Sequence, residues 1–130
     1  AQAQSFLSSL EGGLDYALQA GGRNLSGGQR QRLAIARALS RPAEVYLFDD
    51  SFSALDFTTD AKLRAALKKE LIDATVIIVA QRIGTVMDAD QILVMDEGQI
   101  VGRGTHLELL ENCSTYKEIV ASQLRVEDVA

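Results

Sequence analysis

A serine, two glycines and a glutamine stand in succession at the predicted start of a helix, at Ser26, Gly27, Gly28 and Gln29. Ser26 and Gln29 have the spacing of a capping box, yet the two glycines occupy the first turn that this box would cap. Each glycine costs a helix about 1 kcal/mol relative to alanine. Glycine is expected there if backbone N–H groups must approach an anion closely, because bare amides at a helix N-terminus bind phosphate. An ordinary capped helix after a flexible loop is the alternative.

Two neighbouring carboxylates, Asp49 and Asp50, directly follow the apolar run at residues 45–48. Ligand sites in open α/β sheets lie at the carboxyl ends of strands. In that position one carboxylate can orient Mg²⁺ or its water shell, while the next positions an attacking water. Two acids alone are more often a turn that caps the following segment, and Asp56 or Thr58 is likewise a common type of helix N-cap. These residues by themselves leave both interpretations open.

The elements that must position these residues are those of an α/β fold. Apolar runs without alternation at residues 45–48 and 76–79 favour strands of a parallel sheet covered on both faces. Between the two runs, Leu63, Leu67 and Leu71 recur every four residues, as on one side of a helix. The order strand, helix, strand predicts a right-handed crossover unit.

Further elements are predicted on either side of this unit. A helix is expected over residues 26–39, because Pro42 makes continuation unfavourable. An Asp-Glu-Gly turn at residues 96–98 separates two short apolar runs and predicts a β-hairpin. Two Thr-x-x-Glu capping boxes, one beginning at Thr105 and one at Thr115, predict two helices near the end of the chain.

The composition is that of a folded acidic domain. The chain has 130 residues, of which 47% are hydrophobic and 24% charged, and a formal net charge of -5. Because phosphate backbones select basic surfaces, no nucleic acid partner is expected. The single cysteine, Cys113, cannot form an intrachain disulfide, so nothing indicates an oxidising compartment. No run approaches the roughly 20 apolar residues of a membrane-spanning helix, so a membrane link is expected only through a partner or another segment.

Residues 24–39 resemble the signature motif and signature helix of ABC transporter ATPases, because residues 30–39, Arg-Gln-Arg-Leu-Ala-Ile-Ala-Arg-Ala-Leu, continue the Leu-Ser-Gly-Gly-Gln run as they do in that family. In the family this loop does not bind the ATP of its own domain. The resemblance implies that residues 26–29 act in trans, on the γ-phosphate of an ATP held by a facing domain. It also implies that the cofactors are ATP and Mg²⁺.

The residues after the signature helix resemble the same family. Asp49 stands where a Walker B motif has its magnesium-associated aspartate. Ser53-Ala54-Leu55-Asp56 resembles the D-loop, which crosses the dimer interface and couples the two nucleotide sites. The resemblance therefore implies an interface role for Asp56, which a helix-capping role does not exclude.

Two positions depart from the family pattern, Asp50 and Gln81. Asp50 stands where the family has a catalytic glutamate, and a carboxylate withdrawn by about 1 Å can lower a rate by about 100-fold. Gln81, in the otherwise matching run at residues 78–82, stands where the family has its switch histidine. Glutamine can donate a hydrogen bond to a γ-phosphate but cannot titrate. Together the departures resemble the degenerate site of a heterodimeric exporter, in which one subunit has lost catalytic residues and keeps a good signature for its partner.

The resemblance implies the fold as well: the C-terminal half of a P-loop NTPase-like ABC ATPase domain, with parallel strands, flanking helices, a terminal β-hairpin and C-terminal helices. Residues 1–40 are assigned to the helical, signature-bearing region and residues 41–130 to the RecA-like core and C-terminal helices. The chain contains no Gly-x-x-x-x-Gly-Lys-Ser/Thr segment and no initiating methionine. It is interpreted as a fragment that lacks the Walker A half and is inactive alone.

The implied partners are a second ABC ATPase domain, facing this one in a heterodimer, and a transmembrane domain outside this chain. That places the chain at the cytoplasmic face of the cell membrane, as an exporter subunit. Two other functions remain as alternatives: a non-catalytic module that dimerises in response to nucleotide, and a soluble ABC-type ATPase of DNA repair or translation.

His106, the only histidine, falls in the first turn of a predicted surface helix and is not assigned a catalytic role.

Overall fold

The computed structural model describes the backbone of residues 1–127 and the side chains of residues 1–123, in two compact units, Ala1–Val79 and Ala80–Ala130. The first unit contains the helices α1 (Gln4–Leu7), α2 (Gly27–Leu39) and α3 (Phe57–Glu70), the strands β1 (Val45–Asp49) and β2 (Thr75–Val79), and 3-10 turns at Gly13–Asp15 and Ala20–Gly22. The second contains α4 (Ile83–Val86), β3 (Ile92–Asp96), β4 (Gln99–Gly104), α5 (His106–Asn112) and α6 (Ser114–Glu127).

The strand, helix, strand unit predicted from the sequence is confirmed in the first unit. β1 and β2 are parallel neighbours, paired from Val45 with Thr75 to Asp49 with Val79, and α3 lies between them in the chain. The core under this sheet joins α2, β1, α3 and the loop that follows β1. Its buried members are Ile35, Tyr46, Phe48, Phe52, Leu55, Leu63 and Leu67.

The expectation that both faces of this sheet are covered is wrong for the described residues. Burial alternates along β1: Tyr46 and Phe48 are buried, whereas Val45 is 55% and Leu47 64% exposed. The physical reason is that α2 and α3 contribute their apolar side chains only to the core on the Tyr46 and Phe48 side. The run of apolar residues indicates a strand with two apolar faces, and the described part of the chain covers only one of them.

The hairpin predicted in the second unit is also confirmed. β3 and β4 are antiparallel, with a register irregularity between Val94 and Met95. The turn between them has positive φ at Glu97 and Gly98, 46° and 76°, as the two-residue turns of hairpins require. Behind the hairpin, α5 and α6 close a second core of Ile92, Val94, Leu109, Cys113 and Tyr116.

Of the two predicted capping boxes near the end of the chain, the structure forms one. Thr105 Oγ1 accepts a hydrogen bond from the Glu108 N–H, and the Thr105 N–H donates to Glu108 Oε2 at 2.8 Å. The box at Thr115 is wrong, because α6 begins at Ser114 and places Thr115 inside its first turn. The Cys113 carbonyl accepts from the Lys117 N–H at 3.1 Å, so α5 and α6 are joined too tightly for a cap at Thr115. Within residues 1–127, no helix has the length and apolar character needed to cross a bilayer.

Candidate functional site

The start of α2 has the capped geometry that its sequence predicts. Ser26 is the N-cap: its Oγ accepts from the Gln29 N–H at 3.2 Å, and its own N–H donates to Gln29 Oε1 at 2.8 Å. The Gln29 side chain is therefore used in holding the helix start. The first-turn amides of Gly27 and Gly28 have no carbonyl partner within the helix, as at any helix N-terminus. The helix thus presents N–H dipoles whose summed field favours an anion.

Gly28 has a further reason to lack a side chain. A Cβ at this position would lie 2.9 Å from the Ala54 carbonyl oxygen, and a Cβ on Gly27 would lie 3.4 Å from the Ala54 Cβ. The loop that follows β1 is therefore packed directly onto the first turn of α2. The sequence suggested an anion as the reason for both glycines, whereas at Gly28 close backbone packing alone requires one.

This packing creates an open cleft of about 410 Å³ at the start of α2. It brings together the predicted signature and D-loop residues within the first unit; its lining consists of Ser26, Gly27, Gly28, Arg32, Ala54, Leu55, Asp56 and Thr59. Arg32 is the one cation in that lining, and it is anchored. Its Nη1 donates to the Gln2 carbonyl at 3.0 Å and its guanidinium lies 4.6 Å from the centre of the Phe6 ring. Amide dipoles and a guanidinium suit the cleft to a phosphate-bearing ligand.

Gln31 joins this cleft to the carboxylates at the end of β1. Its Nε2 donates to the Asp50 carbonyl at 3.1 Å and to Ser53 Oγ at 3.0 Å, while its Oε1 accepts from the Ala54 N–H at 2.9 Å. The sequence pattern did not single out this residue. The available signal is that Gln31 lies three positions after Gly28, hence on the helix side that contacts the loop.

Asp49 and Asp50 are exposed at the carboxyl end of β1, where the sequence predicts a metal and water site. Asp50 has a left-handed backbone with φ of 48°, and its N–H donates to the Val79 carbonyl at 2.9 Å. Among the described side chains, those of residues 1–123, no three His, Cys, Asp or Glu residues are grouped to hold a metal ion by themselves. Exposed carboxylates at a strand end nevertheless fit Mg²⁺, which takes one or two carboxylates and completes its shell with water and phosphate oxygens.

Asp56 is the N-cap of α3, as its residue type predicts, and it also lines the cleft. Its side chain accepts from the Thr59 N–H at 2.9 Å. That hydrogen bond, and a second one from the Thr59 hydroxyl, hold the pKa of Asp56 below its usual value because they favour the charged form. The capping role is therefore present in the structure, and the interface role stays a prediction.

Asp56→Asn is expected to keep the stability of the chain at pH 7 and to change its acid dependence. Asparagine caps a helix about as well as aspartate. Because the folded-state pKa of Asp56 is depressed, its carboxylate stabilises the fold above the unfolded-state pKa, and this contribution is lost as the pH falls through the folded value, below about pH 4. The urea midpoint of unfolding should therefore decrease less between pH 7 and pH 3 in the Asn variant than in the wild type. Asp56→Ala, which lacks the cap, should be weaker at both pH values; an Asn variant as weak as the Ala variant at pH 7 would contradict this.

Gln81 lies in the second unit, two residues after the end of β2, and its side chain is exposed. Its backbone is held from α6. Gln123 Nε2 donates to the Gln81 carbonyl at 2.6 Å, and Gln123 Oε1 accepts from the Ile83 N–H at 2.8 Å. Gln123 is the second glutamine that the sequence pattern did not reveal, since its partners lie 42 and 40 residues earlier.

His106 and Cys113, which are not among the candidate site residues, make contacts within the second unit. His106 Nδ1 lies 2.8 Å from the Tyr116 hydroxyl, with the two rings edge to face. Burial raises the pKa of Tyr116. Cys113 is a buried free thiol in the core of the second unit. His106 thus links α5 to α6, and Cys113, at the end of α5, packs against strand β4 of the hairpin.

Comparison with known proteins gives the same family from sequence and from structure. The family model for ABC transporters matches residues 1–53. An uncharacterized ABC transporter ATP-binding protein of Mycobacterium bovis is 57% identical over 111 residues, which cover 85% of this chain and 19% of that protein. The ATP-dependent lipid A-core flippase of Vibrio vulnificus is 45% identical over 119 residues, which cover 92% of this chain and 20% of the flippase.

A solved structure is similar over the same extent. The structure of a bacterial Atm1-family ABC exporter with ATP bound has a TM-score of 0.88 and 38% sequence identity, over 92% of this chain and 21% of that one. The chain thus spans about a fifth of the length of the relatives it matches.

Proposed function

We propose a role in ATP-driven export for this chain, in which it contributes to two nucleotide sites. The chain belongs to the ATP-binding domains of ABC transporters and fits their C-terminal half. To a facing domain it offers the start of α2, where Ser26, Gly27 and Gly28 would meet the γ-phosphate of that domain's ATP. To its own site it offers Asp49, Asp50 and Gln81. The observation that carries this proposal is the cleft in which bare helix amides, Arg32 and the loop of Asp56 converge.

The start of α2 is suited to act in trans because its first turn is held in place by local contacts and its N-cap, Ser26, is exposed. The capping box and the contact of Gly28 with Ala54 fix its first turn. Asp56 lines the same cleft, so a phosphate bound there would be sensed by the loop that continues to Asp50. Gln31 supplies the link, since its side chain hydrogen-bonds both to the Asp50 carbonyl and to the Ala54 N–H. Binding of ATP at the facing site would in this way affect the position of the chain's own carboxylates.

At the chain's own site, Asp49 would hold the magnesium ion that accompanies ATP. The ion supplies positive charge to the phosphate oxygens when bound. Asp50 would orient the attacking water less well than a glutamate, and Gln81 would donate a hydrogen bond to the γ-phosphate without titrating. The site is therefore proposed to retain ATP and to hydrolyse it weakly, which is the arrangement of a degenerate site in a heterodimer.

The transporter context comes from the relatives. Two of them are named a lipid A-core flippase and an Atm1-family exporter. We assign to this chain an attached or associated transmembrane domain, a second ATP-binding domain as its heterodimeric partner, and the cytoplasmic face of the membrane. A nucleotide-dependent dimerisation module without turnover is the second candidate, favoured by the departures at Asp50 and Gln81.

Calorimetric titration of Mg-ATP into the 130-residue chain, with phosphate release followed in the same sample, tests whether the start of α2 acts only on ATP held by another domain. Neither binding nor turnover is expected, because the chain contains no Gly-x-x-x-x-Gly-Lys-Ser/Thr loop to surround the phosphates. The full-length protein, reconstituted in liposomes with its partner, should bind Mg-ATP and release phosphate. Tight binding by the chain alone would overturn the trans assignment, since the chain would then hold a phosphate site of its own.

A further inference from the structure

We propose that Gln123 on α6 is a positioning residue for Gln81: it fixes the backbone from which the Gln81 side chain reaches the γ-phosphate. This assignment rests on the proposed function and extends it to the C-terminal helix. Gln123 itself touches no nucleotide in this proposal. It acts through the loop that follows β2.

The geometry of the contact is that of a bridge across a single residue. The Gln123 amide donates to the carbonyl of Gln81 at 2.6 Å and accepts from the N–H of Ile83 at 2.8 Å. One planar side chain thereby pairs with the two backbone groups on either side of Arg82. Arg82 is the N-cap of α4 and makes no side-chain cap hydrogen bond. Gln123 therefore also supplies the acceptor that a capping side chain gives to a first-turn amide.

The base of this bridge is firmly packed. Tyr116, one of the buried residues of α6, is 2% exposed and belongs to the core behind the hairpin. Ile119 and Val120 pack against the same core, and so do Ile83 and Val86 of α4. Gln123 thus extends from a helix whose position is set by apolar contacts. Its two hydrogen bonds carry that position to the loop of Gln81.

A fixed backbone matters to Gln81 because its side chain is exposed. A hydrogen bond to a γ-phosphate requires the donor to lie within a few tenths of an ångström of its optimal distance from the phosphate oxygen. A loop whose backbone is not fixed loses that contact. The adenine, ribose and first two phosphates make no use of Gln81 in the proposed site. Loss of positioning should therefore weaken the binding of ATP and leave the binding of ADP unchanged, whereas a general loss of fold should weaken both.

The test measures equilibrium binding of radiolabelled Mg-ATP and Mg-ADP to the full-length protein at low temperature. Gln81→Ala and Gln123→Leu are each expected to weaken Mg-ATP binding by about 10-fold, the size of one or two hydrogen bonds, with Mg-ADP binding within about twofold of wild type. The double variant should lose no more than either single variant, because both changes remove the same contact. Glu118→Leu, at an exposed position of α6, is the matched control and should bind both nucleotides as wild type does.

A second variant guards against misfolding. Gln123→Glu keeps the size of the side chain and an acceptor for Ile83, but its charged carboxylate repels the Gln81 carbonyl, so it should also lose ATP binding selectively. Equal loss of ATP and ADP, unchanged binding, or additive losses in the double variant would overturn the inference about Gln123. If Gln81→Ala leaves ATP binding unchanged, the proposed role of Gln81 fails and the inference about Gln123 fails with it. A selective loss in Gln81→Ala but not in the Gln123 variants overturns the latter alone.

Discussion

Asp50→Glu combined with Gln81→His is expected to raise ATP turnover at this chain's own site by about 100-fold. The measurement uses the full-length protein paired with its proposed partner, with the catalytic carboxylate of the facing domain removed, so that turnover at the other site does not mask the gain. Glutamate would extend the carboxylate by a methylene towards the attacking water. Histidine would add a titratable donor where glutamine cannot change its charge.

The structure explains why the chain cannot make up for the shorter aspartate by moving. The Asp50 N–H is bonded to the Val79 carbonyl, and the Asp50 carbonyl accepts from Gln31 and from the Ser53 hydroxyl. With both backbone groups held, only the length of the side chain can change the reach of the carboxylate. The same rigidity is what should allow a glutamate to work without further changes.

Matched controls separate chemistry from a general effect of the substitutions. Asp73→Glu and Gln91→His make the same two changes at exposed positions outside the candidate site and should leave turnover as it is. Unchanged turnover in the restored double variant, with ATP still bound, would contradict the account of Asp50 and Gln81. The non-catalytic dimerisation module would then be the better description.

Elements specified by neighbouring residues were the ones that the sequence predicted. The capping box at Ser26, the strands β1 and β2 with a helix between them, and the hairpin turn at Gly98 are each encoded within a few positions or by a simple period. The parallel pairing of the two strands then followed from the rule for crossover connections. The box at Thr115 failed although its pattern was as good. There the short link at Cys113 set where α6 begins, and this overrode the capping signal at Thr115.

Contacts between distant segments could not be predicted in this way. No sequence pattern shows that Gln31 would contact a loop 19 to 23 residues later, or that Gln123 would contact one 40 to 42 residues earlier. The packing of Gly28 on Ala54 is of the same kind. The sequence thus predicted the residues that could touch a nucleotide, whereas the structure was needed to find those that hold them in place.

Ser26→Asp should abolish turnover at the facing site, whereas Ser26→Asn should retain much of it. Both replacements can cap α2, because aspartate and asparagine are good N-cap residues, so both variants should fold. They differ in charge. A carboxylate about 4 Å from a phosphate oxygen is repelled by about 4 kcal/mol at the effective dielectric of a protein surface, and allowing for side-chain movement we expect a loss of at least about 100-fold.

The measurement is ATP turnover by the full-length protein paired with its proposed partner, with Mg-ATP binding to this chain's own site followed in the same preparation. Trans action predicts that Ser26→Asp removes turnover at the facing site while binding at the own site before dimer closure stays within about twofold. Equal activity of the Asp and Asn variants would mean that no phosphate approaches Ser26. Loss of activity in both, with normal folding, would mean that the serine hydroxyl itself is needed, because charge would no longer distinguish the two replacements.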